Sequence, residues 1–362
     1  MQLDLVQIKD FRNLVNVSIE PCQGINFIIG ANGSGKSSIL EAIHYLGFAR
    51  SFRSSKHKNV IQHEKDAFTV FAKCTNNGEG LRLGIQRDMS DAVTVNVNGE
   101  KSKRASELVS LVPLQVFTPQ SSDLLTGSPK SRRRMLDWGL FHVEHHFLNA
   151  VSKYTKVLKH RNALLKERGY FAAADKLYWL ELQAKFGEFV DHYRETYVEA
   201  IKPYIIDNLK DFLPEFSFEI SYYRGWEKGS SLIEALHNNE AKDAKYGHSG
   251  CGPHKGDIRF KVNGVAAHEV ISRGQLRMLV AATQLGAVQY LKAQTNKNCI
   301  FLLDDLGAEL DVVKRQAFID KLIETEAQLF ITAIEVSQLQ FIEKYTEKKL
   351  FHVKHGHVEE EI

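Results

Sequence analysis

The spacing of apolar positions changes character along the chain. Up to about residue 128 it is strand-like. LDLVQI (3–8), AFTVFAKC (67–74), LRLGIQ (81–86) and VTVNV (93–97) mix apolar and polar positions at a period near two, and NG at 98–99 makes a turn. INFIIG (25–30) and VPLQVF (112–117) are short apolar runs suited to buried strands. One helix interrupts this region, SILEAIHYLGF (38–48). From about 130 to 210 the period lengthens to that of helices, and YWLELQAKFGEFVDHYRETYVEAIKPYI predicts a long amphipathic helix ending near Pro203. Strand character returns at FSFEISYY (216–223) and, after the glycine-rich loop YGHSGCGPHKGD (246–257), at IRFKV (258–262). There follow a long apolar helix after Ser272, the buried strand CIFLL (299–303), a helix from about 311, QLFITAI (328–334) and KLFHVKHG (349–356). Strands alternating with helices at both ends predict one α/β sheet closed by the two ends of the chain, with the helical middle inserted. The expected division is a head lobe over 1–128, a mostly helical arm over 129–248 and a second head lobe over 249–362.

Composition changes this picture little. The chain has 362 residues, 43% hydrophobic and 25% charged, which leaves room for roughly two domains. The net charge is only +3, so any nucleic-acid role must come from local patches. No apolar run approaches the roughly 20 residues that span a bilayer, and the amino terminus is unlike a signal peptide. Cys22, Cys74, Cys251 and Cys299 lie far apart without a CxxC pair and read as reduced thiols. A cytoplasmic protein is expected.

Gly30-Ala31-Asn32-Gly33-Ser34-Gly35-Lys36-Ser37 matches GxxxxGK[ST] at every fixed position, between a buried strand and a helix. Glycines let backbone N–H groups turn inward around phosphate oxygens, and the helix N-terminus adds partial positive charge. Lys36 would reach the β/γ-phosphates and the Ser37 hydroxyl would ligate Mg²⁺. Asp304 and Asp305 end the apolar run CIFLL, and they have two readings. In one, Asp304 holds Mg²⁺ and Asp305 orients or deprotonates an attacking water. In the other, the strand end is solvated and one Asp caps the next helix. A phosphate loop in the same chain favours the first. Ser272-Arg273-Gly274-Gln275 opens the long apolar helix, either as a second anion-binding N-terminus or as a plain N-cap.

The order of phosphate loop, SRGQ, LLDD and LGAELD resembles the ABC-type ATPases. SRGQ stands where their signature usually reads LSGGQ, and Asp311 falls at their D-loop aspartate. In that family the signature of one subunit covers the nucleotide on the phosphate loop of another, which implies an ATP-dependent homodimer. The interval of 236 residues from Lys36 to Ser272 suits the SMC-like branch, in which a helical insertion interrupts the head. IKDFRN (8–13), GANGSGKSS (30–38), SFRS (51–54), NGE (98–100), FTPQ–DLL–GSPKSRRRMLDWGLFH (117–142), CGPHKGD (251–257), SRGQL (272–276) and DDLGAELD (304–311) together resemble the RecF family of bacterial recombination mediators, across essentially the whole chain.

That resemblance implies an ATP- and Mg²⁺-using protein of DNA repair and replication restart, with weak DNA-dependent ATPase activity. It implies binding to double-stranded, gapped and single-stranded DNA, and work with RecR and RecO in helping RecA load at gaps. By position, Arg12, Gly30 to Ser38, Ser272 to Gln275 and Asp311 would contact nucleotide. Gln120 would join Ser37 and Asp304 at the metal, and Asp305, Asp304 and Gln120 would carry the hydrolytic step. Two departures from general ABC ATPases imply slow turnover. Asp305 stands where most have Glu, and Thr332 and Ala333 stand where a switch histidine usually follows the last core strand. The rival readings are a transporter's ATPase subunit, a P-loop kinase and a DNA-binding scaffold that uses ATP structurally.

Between 130 and 168 lie ten Lys/Arg (130, 132, 133, 134, 153, 156, 159, 161, 166, 168) against three acids. Arg50, Arg53, Lys56 and Lys58 form a second basic run. These are either solvated faces or a phosphate-backbone footprint on DNA, with Arg50, Arg53, Lys56, Lys58, Arg132, Arg133, Lys153, Lys156, Lys159 and Arg161 as the candidate contacts. Arg132 to Arg134 have the further option of facing nucleotide or a partner subunit. Few aromatics interleave these basics in the sequence, so the backbone of duplex is the expected target rather than stacked single-strand bases. His142, His145 and His146 lack the further ligands of a metal site.

Overall fold

The computed structural model describes residues 1–76, 78–102, 104–167, 176–305, 310–335 and 343–361. Arg168 and the Leu306–Glu309 part of the DDLGAELD run therefore lie outside the described residues. The chain forms two compact units, Met1–Ser121 with Leu291–Ile362, and Ser122–Tyr290. These lines differ from the lobes expected at 1–128, 129–248 and 249–362. The stretch from 249 to 290 packs with the helical middle: Tyr290 meets the rings of Tyr197 and Tyr204, and Gly286 lies against Ile205 so closely that a Cβ would fall 2.8 Å from its side chain.

The first unit carries two six-stranded sheets. One runs β2 (Leu14–Ile19), β1 (Gln2–Phe11), β4 (Ala67–Asn76), β5 (Glu79–Asp88), β6 (Val93–Val97) and β7 (Glu100–Ser102), antiparallel throughout. The other runs β15 (His357–Glu361), β14 (Lys348–Lys354), β3 (Ile25–Ile29), β13 (Gln328–Ala333), β12 (Ile300–Leu303) and β8 (Leu114–Phe117), parallel except for the β14/β15 hairpin. Every residue of β3, β12 and β13 is buried, as mostly apolar strands inside a parallel sheet require, the polar Asn26, Gln328 and Thr332 included. The helix Lys36–Phe48 is buried continuously from Ser38 to Gly47, so it is covered on all sides rather than along one stripe. Its Tyr45 packs edge-on against Phe11 and Phe68, with ring centroids 5.7 and 4.9 Å away. The side chain of Gln328 acts as a piece of backbone, accepting Leu3 N–H at 2.8 Å and donating to Leu3 C=O at 2.9 Å.

The second unit is mainly helical, with helices Pro129–Val143, Phe147–Leu164, Lys176–Phe212 and most of Arg273–Thr295, plus a small antiparallel sheet of β11 (Val265–Ala266), β10 (Asp257–Val262) and β9 (Phe218–Tyr223). The long helix does not end near Pro203, as its sequence suggested, but continues to Phe212. Pro203 and Glu199, whose carbonyl it leaves without a helical donor, are both exposed residues, while Ile201, Ile205, Leu209 and Phe212 keep one buried face on either side of the proline.

Candidate nucleotide site

The site is built at the carboxyl ends of β3 and β12, where the central strands of a parallel sheet stop and loops begin. The phosphate loop leaves β3 at Gly30 and enters its helix at Lys36. Gly33 and Gly35 adopt φ of 79° and 123°, which admit no ordinary side chain. A Cβ on Gly30 would fall 2.3 Å from the carbonyl oxygen of Val353, so β14 passes directly against the loop. Asn13 braces the loop from the other side. Its amide donates to Ser34 C=O at 3.2 Å and its Oδ1 accepts from Ser38 Oγ at 2.9 Å. Gly356 N–H, in the β14/β15 turn, donates to the same Ser34 carbonyl at 2.8 Å.

Lys36 Nζ donates to Gly30 C=O at 2.6 Å and to Ala31 C=O at 3.0 Å. Burial lowers its pKa, while the nearby charges of Asp304 and Asp305 act in the opposite direction. The hydroxyl of Ser37 donates to Asp304 Oδ1 at 2.9 Å, joining residues 267 apart in sequence. Thr332, at the end of β13, completes the arrangement. Its Oγ1 donates to the same Asp304 oxygen at 2.9 Å and accepts Asp305 N–H at 2.8 Å. Asp305 itself takes a left-handed backbone, φ 51°. The position that lacks a histidine is thus occupied by a hydroxyl that fixes both acids.

A cleft of about 550 Å³ opens over these groups, lined by the loop, both acids, Thr332 and a wall of Arg12, Asn13, Arg53, Asn59 and Ile61. Beneath it Glu41, wholly buried, is gripped by Arg12 through two hydrogen bonds of 3.0 and 2.7 Å, by the Ser51 hydroxyl, and by Arg53 at 3.6 Å. The chemistry of the set fits a magnesium nucleotide. Ser37 and Asp304 are hard oxygen donors side by side, Lys36 and Arg12 are cations at the loop, and Ser34 Oγ is buried without a hydrogen-bond partner.

Sequence reasoning named Arg12, the loop and both acids, and the structure brings them together. It missed Asn13, Glu41 and the role of Thr332. Glu41 was signalled only as the one acid inside an apolar helix. Gln120 is exposed in the turn after β8 and is not among the residues lining the cleft. In the second unit Ser272 and Gln275 cap their helix reciprocally: Ser272 Oγ accepts Gln275 N–H at 3.3 Å and Ser272 N–H donates to Gln275 Oε1 at 2.8 Å. Asp311 caps the helix Val312–Glu324 through Lys314 N–H at 2.9 Å, the service that the alternative reading of the acidic strand end had given to an Asp of that pair.

The basic residues divide sharply. Arg161 is not a DNA contact. It is fully buried, with one amino group donating to Asp243 at 2.8 Å and Ser249 Oγ at 2.8 Å. Arg132 is spent on Asp257 through a two-bond fork of 2.8 and 3.0 Å and on the carbonyls of Leu124, Leu125 and Gly127, while Arg133 donates to Gly256 C=O at 2.7 Å. Arg50, Arg53, Lys56, Lys58, Lys153, Lys156 and Lys159 are exposed. His142 is buried and His145 and His146 are exposed, and no group of three or more candidate metal ligands occurs among the described residues. Among the same residues no helix is long and apolar enough to cross a membrane.

Residues 2–359 match the model of the RecF/RecN/SMC N terminal domain family. The chain is 56% identical over its full length, and that of the relative, to a DNA replication and repair protein RecF from Pseudoalteromonas atlantica. It is 39% identical to one from Shewanella frigidimarina, covering 98% of each chain. A solved structure of "the recombination mediator protein RecF-ATP in RecFOR pathway" superposes with a TM-score of 0.89 at 25% identity, covering 100% of this chain and 98% of the other. An Smc head domain from Pyrococcus furiosus shares the fold at a TM-score of 0.58 and 17% identity, with 99% and 96% covered.

Proposed function

The chain belongs to the RecF branch of the RecF/RecN/SMC N-terminal domain family, and on that premise we propose that it binds DNA under the control of ATP in replication and recombinational repair. The observation that carries the nucleotide part is the Ser37–Asp304–Thr332 contact at the mouth of the phosphate loop. Mg²⁺ would sit on the Ser37 hydroxyl and the Asp304 carboxylate, where it neutralises phosphate charge. The loop N–H groups and Lys36, once it leaves the Gly30 and Ala31 carbonyls, would hold the phosphates. Asp305, its main chain fixed by Thr332, would orient the attacking water. An Asp is one methylene shorter than the usual Glu, and no imidazole assists it, so hydrolysis is slow and acts as a timer for DNA release.

Ser272 to Gln275 and Asp311 would meet the nucleotide held by a second copy, making the ATP-bound state a dimer. The RecFOR pathway named for the solved relative supports RecO and RecR as partners, and the family resemblance adds help in RecA loading as the outcome. Membership of this family disfavours the transporter reading. Fluorescence anisotropy of a labelled gapped duplex tests the proposal. Mg-ATP is expected to tighten binding steeply with protein concentration at fixed salt, and an isotherm indifferent to ATP would count against it.

A further inference from the structure

Strand β10 has an edge that its sheet uses only in part. All six of its residues, Asp257 to Val262, pair with β9. On the other side only Lys261 and Val262 pair, with the two residues of β11, and the chain then turns into the short helix Ala267–Val270. Asp257 to Phe260 thus have a ladder on one side alone, which leaves backbone donors and acceptors turned toward the free side. A hollow of about 210 Å³ lies there, and residues 257 to 261 in succession line it. Successive residues of a strand point to opposite faces. A hollow that meets all of them therefore runs along the edge of β10 rather than over one face.

The two faces at this edge differ in chemistry. Ile258 and Phe260 are buried, and with Leu125 and Ala267 they give one side an apolar lining. Arg259 and Lys261 belong to the other face. Arg259 is exposed, its guanidinium 4.0 Å over the ring of Tyr223, and Lys261 is half-buried. Lys261 stands opposite Glu219 on β9, yet neither Arg259 nor Lys261 enters an ion pair among the described residues. Asp257 is the one acid lining the hollow among the same residues, and the two-bond fork from Arg132 neutralises it.

Cations on an edge strand commonly guard it against pairing with its like. Beside an apolar hollow they also select, because an acidic strand is welcome where a basic or neutral one is not. We propose that the free edge of β10 is a docking site for an extended acidic segment of a partner protein, taken up by strand addition. The segment pairs its backbone with Asp257 to Phe260. It sets carboxylates at alternate positions against Arg259 and Lys261, and it lays the apolar side chains between them in the hollow. Nucleic acid fits this edge poorly: its phosphates suit the cations, but it has no row of amides to pair and no apolar side chains to bury. The inference rests on the second unit alone and stands or falls apart from the ATP-controlled reading.

The test titrates the full chain against a fluorescent octapeptide of alternating Glu and Val, read by anisotropy. Two controls accompany it, the same peptide with Lys for Glu and the same peptide N-methylated throughout its backbone. The Glu–Val peptide should bind, more weakly as salt rises, and neither control should. The double variant Arg259→Glu, Lys261→Glu should lose about ten-fold or more in affinity for the Glu–Val peptide. Its melting temperature and Mg-ATP binding should match the wild type. Bound peptide should also slow hydrogen exchange of the amides within 257–260. A wild type that ignores the Glu–Val peptide overturns the proposal, as does one that takes the N-methylated form equally well. Equal affinity of the double variant and the wild type overturns it too. The peptide controls decide the matter without the variant, should that fold poorly.

Discussion

Thr332 accepts one hydrogen bond and donates another, and that pair of bonds places both acids of the nucleotide site. Thr332→Val keeps the shape and removes both. The orphaned Asp305 N–H and the loosened Asp304 disturb water and metal geometry more than phosphate binding. ATP affinity is therefore expected to stay within about three-fold while turnover falls about ten-fold or more, part of the ~10²–10⁴-fold that a well-positioned general base contributes; Thr332→Ser should restore turnover. Separate equilibrium binding and steady-state hydrolysis measurements check this, and equal losses in both would place Thr332 in binding instead. Arg161 makes the opposite case. Its charge is neutralised inside the second unit by Asp243. Arg161→Met should destabilise by about 3–5 kcal/mol, because Asp243 is left buried and unpaired. Urea denaturation reads that loss. Lys156→Glu, at an exposed position, should leave stability unchanged and weaken DNA binding.

At the scale of elements, sequence pattern was most informative where structure is local. The phosphate loop, its strand and its helix are contiguous, and a string of glycines beside an apolar run can be read directly. Thr332 and Asn13 could not be, because each acts on a residue brought near only by the sheet; Thr332 and Asp305 are 27 apart, and Asn13 and Ser38 25 apart. β2 and β15 were missed for another reason. β15 reads HVEEE with most positions exposed, so its pairing to β14 is held by backbone bonds rather than by an apolar face. Arg161 was misjudged because a local charge count treats every arginine as solvated. Pro203 was read as a terminator, yet packing on both sides carries the helix through it. Replacing it should then stabilise: Pro203→Ala is expected to raise the stability of the second unit by up to about 3 kcal/mol. A thermal scan against wild type measures it, and no gain would mean the turn around Pro203 is held in a form that suits proline.

For the whole molecule, the capping box at Ser272 decides how the dimer is to be tested. Ser272→Ala removes an N-cap worth about 1 kcal/mol as well as any contact to nucleotide, so a lost dimer would have two causes. Ser272→Asp keeps a cap acceptor and sets a negative charge where a phosphate would come. Melting temperature should stay near wild type, ATP binding should persist, and ATP-driven self-association should vanish in sedimentation. A Ser272→Asp protein that still associates on ATP would exclude a nucleotide contact at this helix.

The brace on Ser34 by Gly356 bears on synthesis. The loop leaves the ribosome early, but the turn that holds its carbonyl, and the strand that passes against Gly30, are made roughly 320 residues later. At translation rates of about 5–20 residues per second, the wait is tens of seconds. During that time β3 has neither of its eventual neighbours, β13 and β14. A nascent or truncated chain would carry the motif without its shape, so messages cut short upstream of β14 should yield fragments unable to compete with the finished protein for nucleotide.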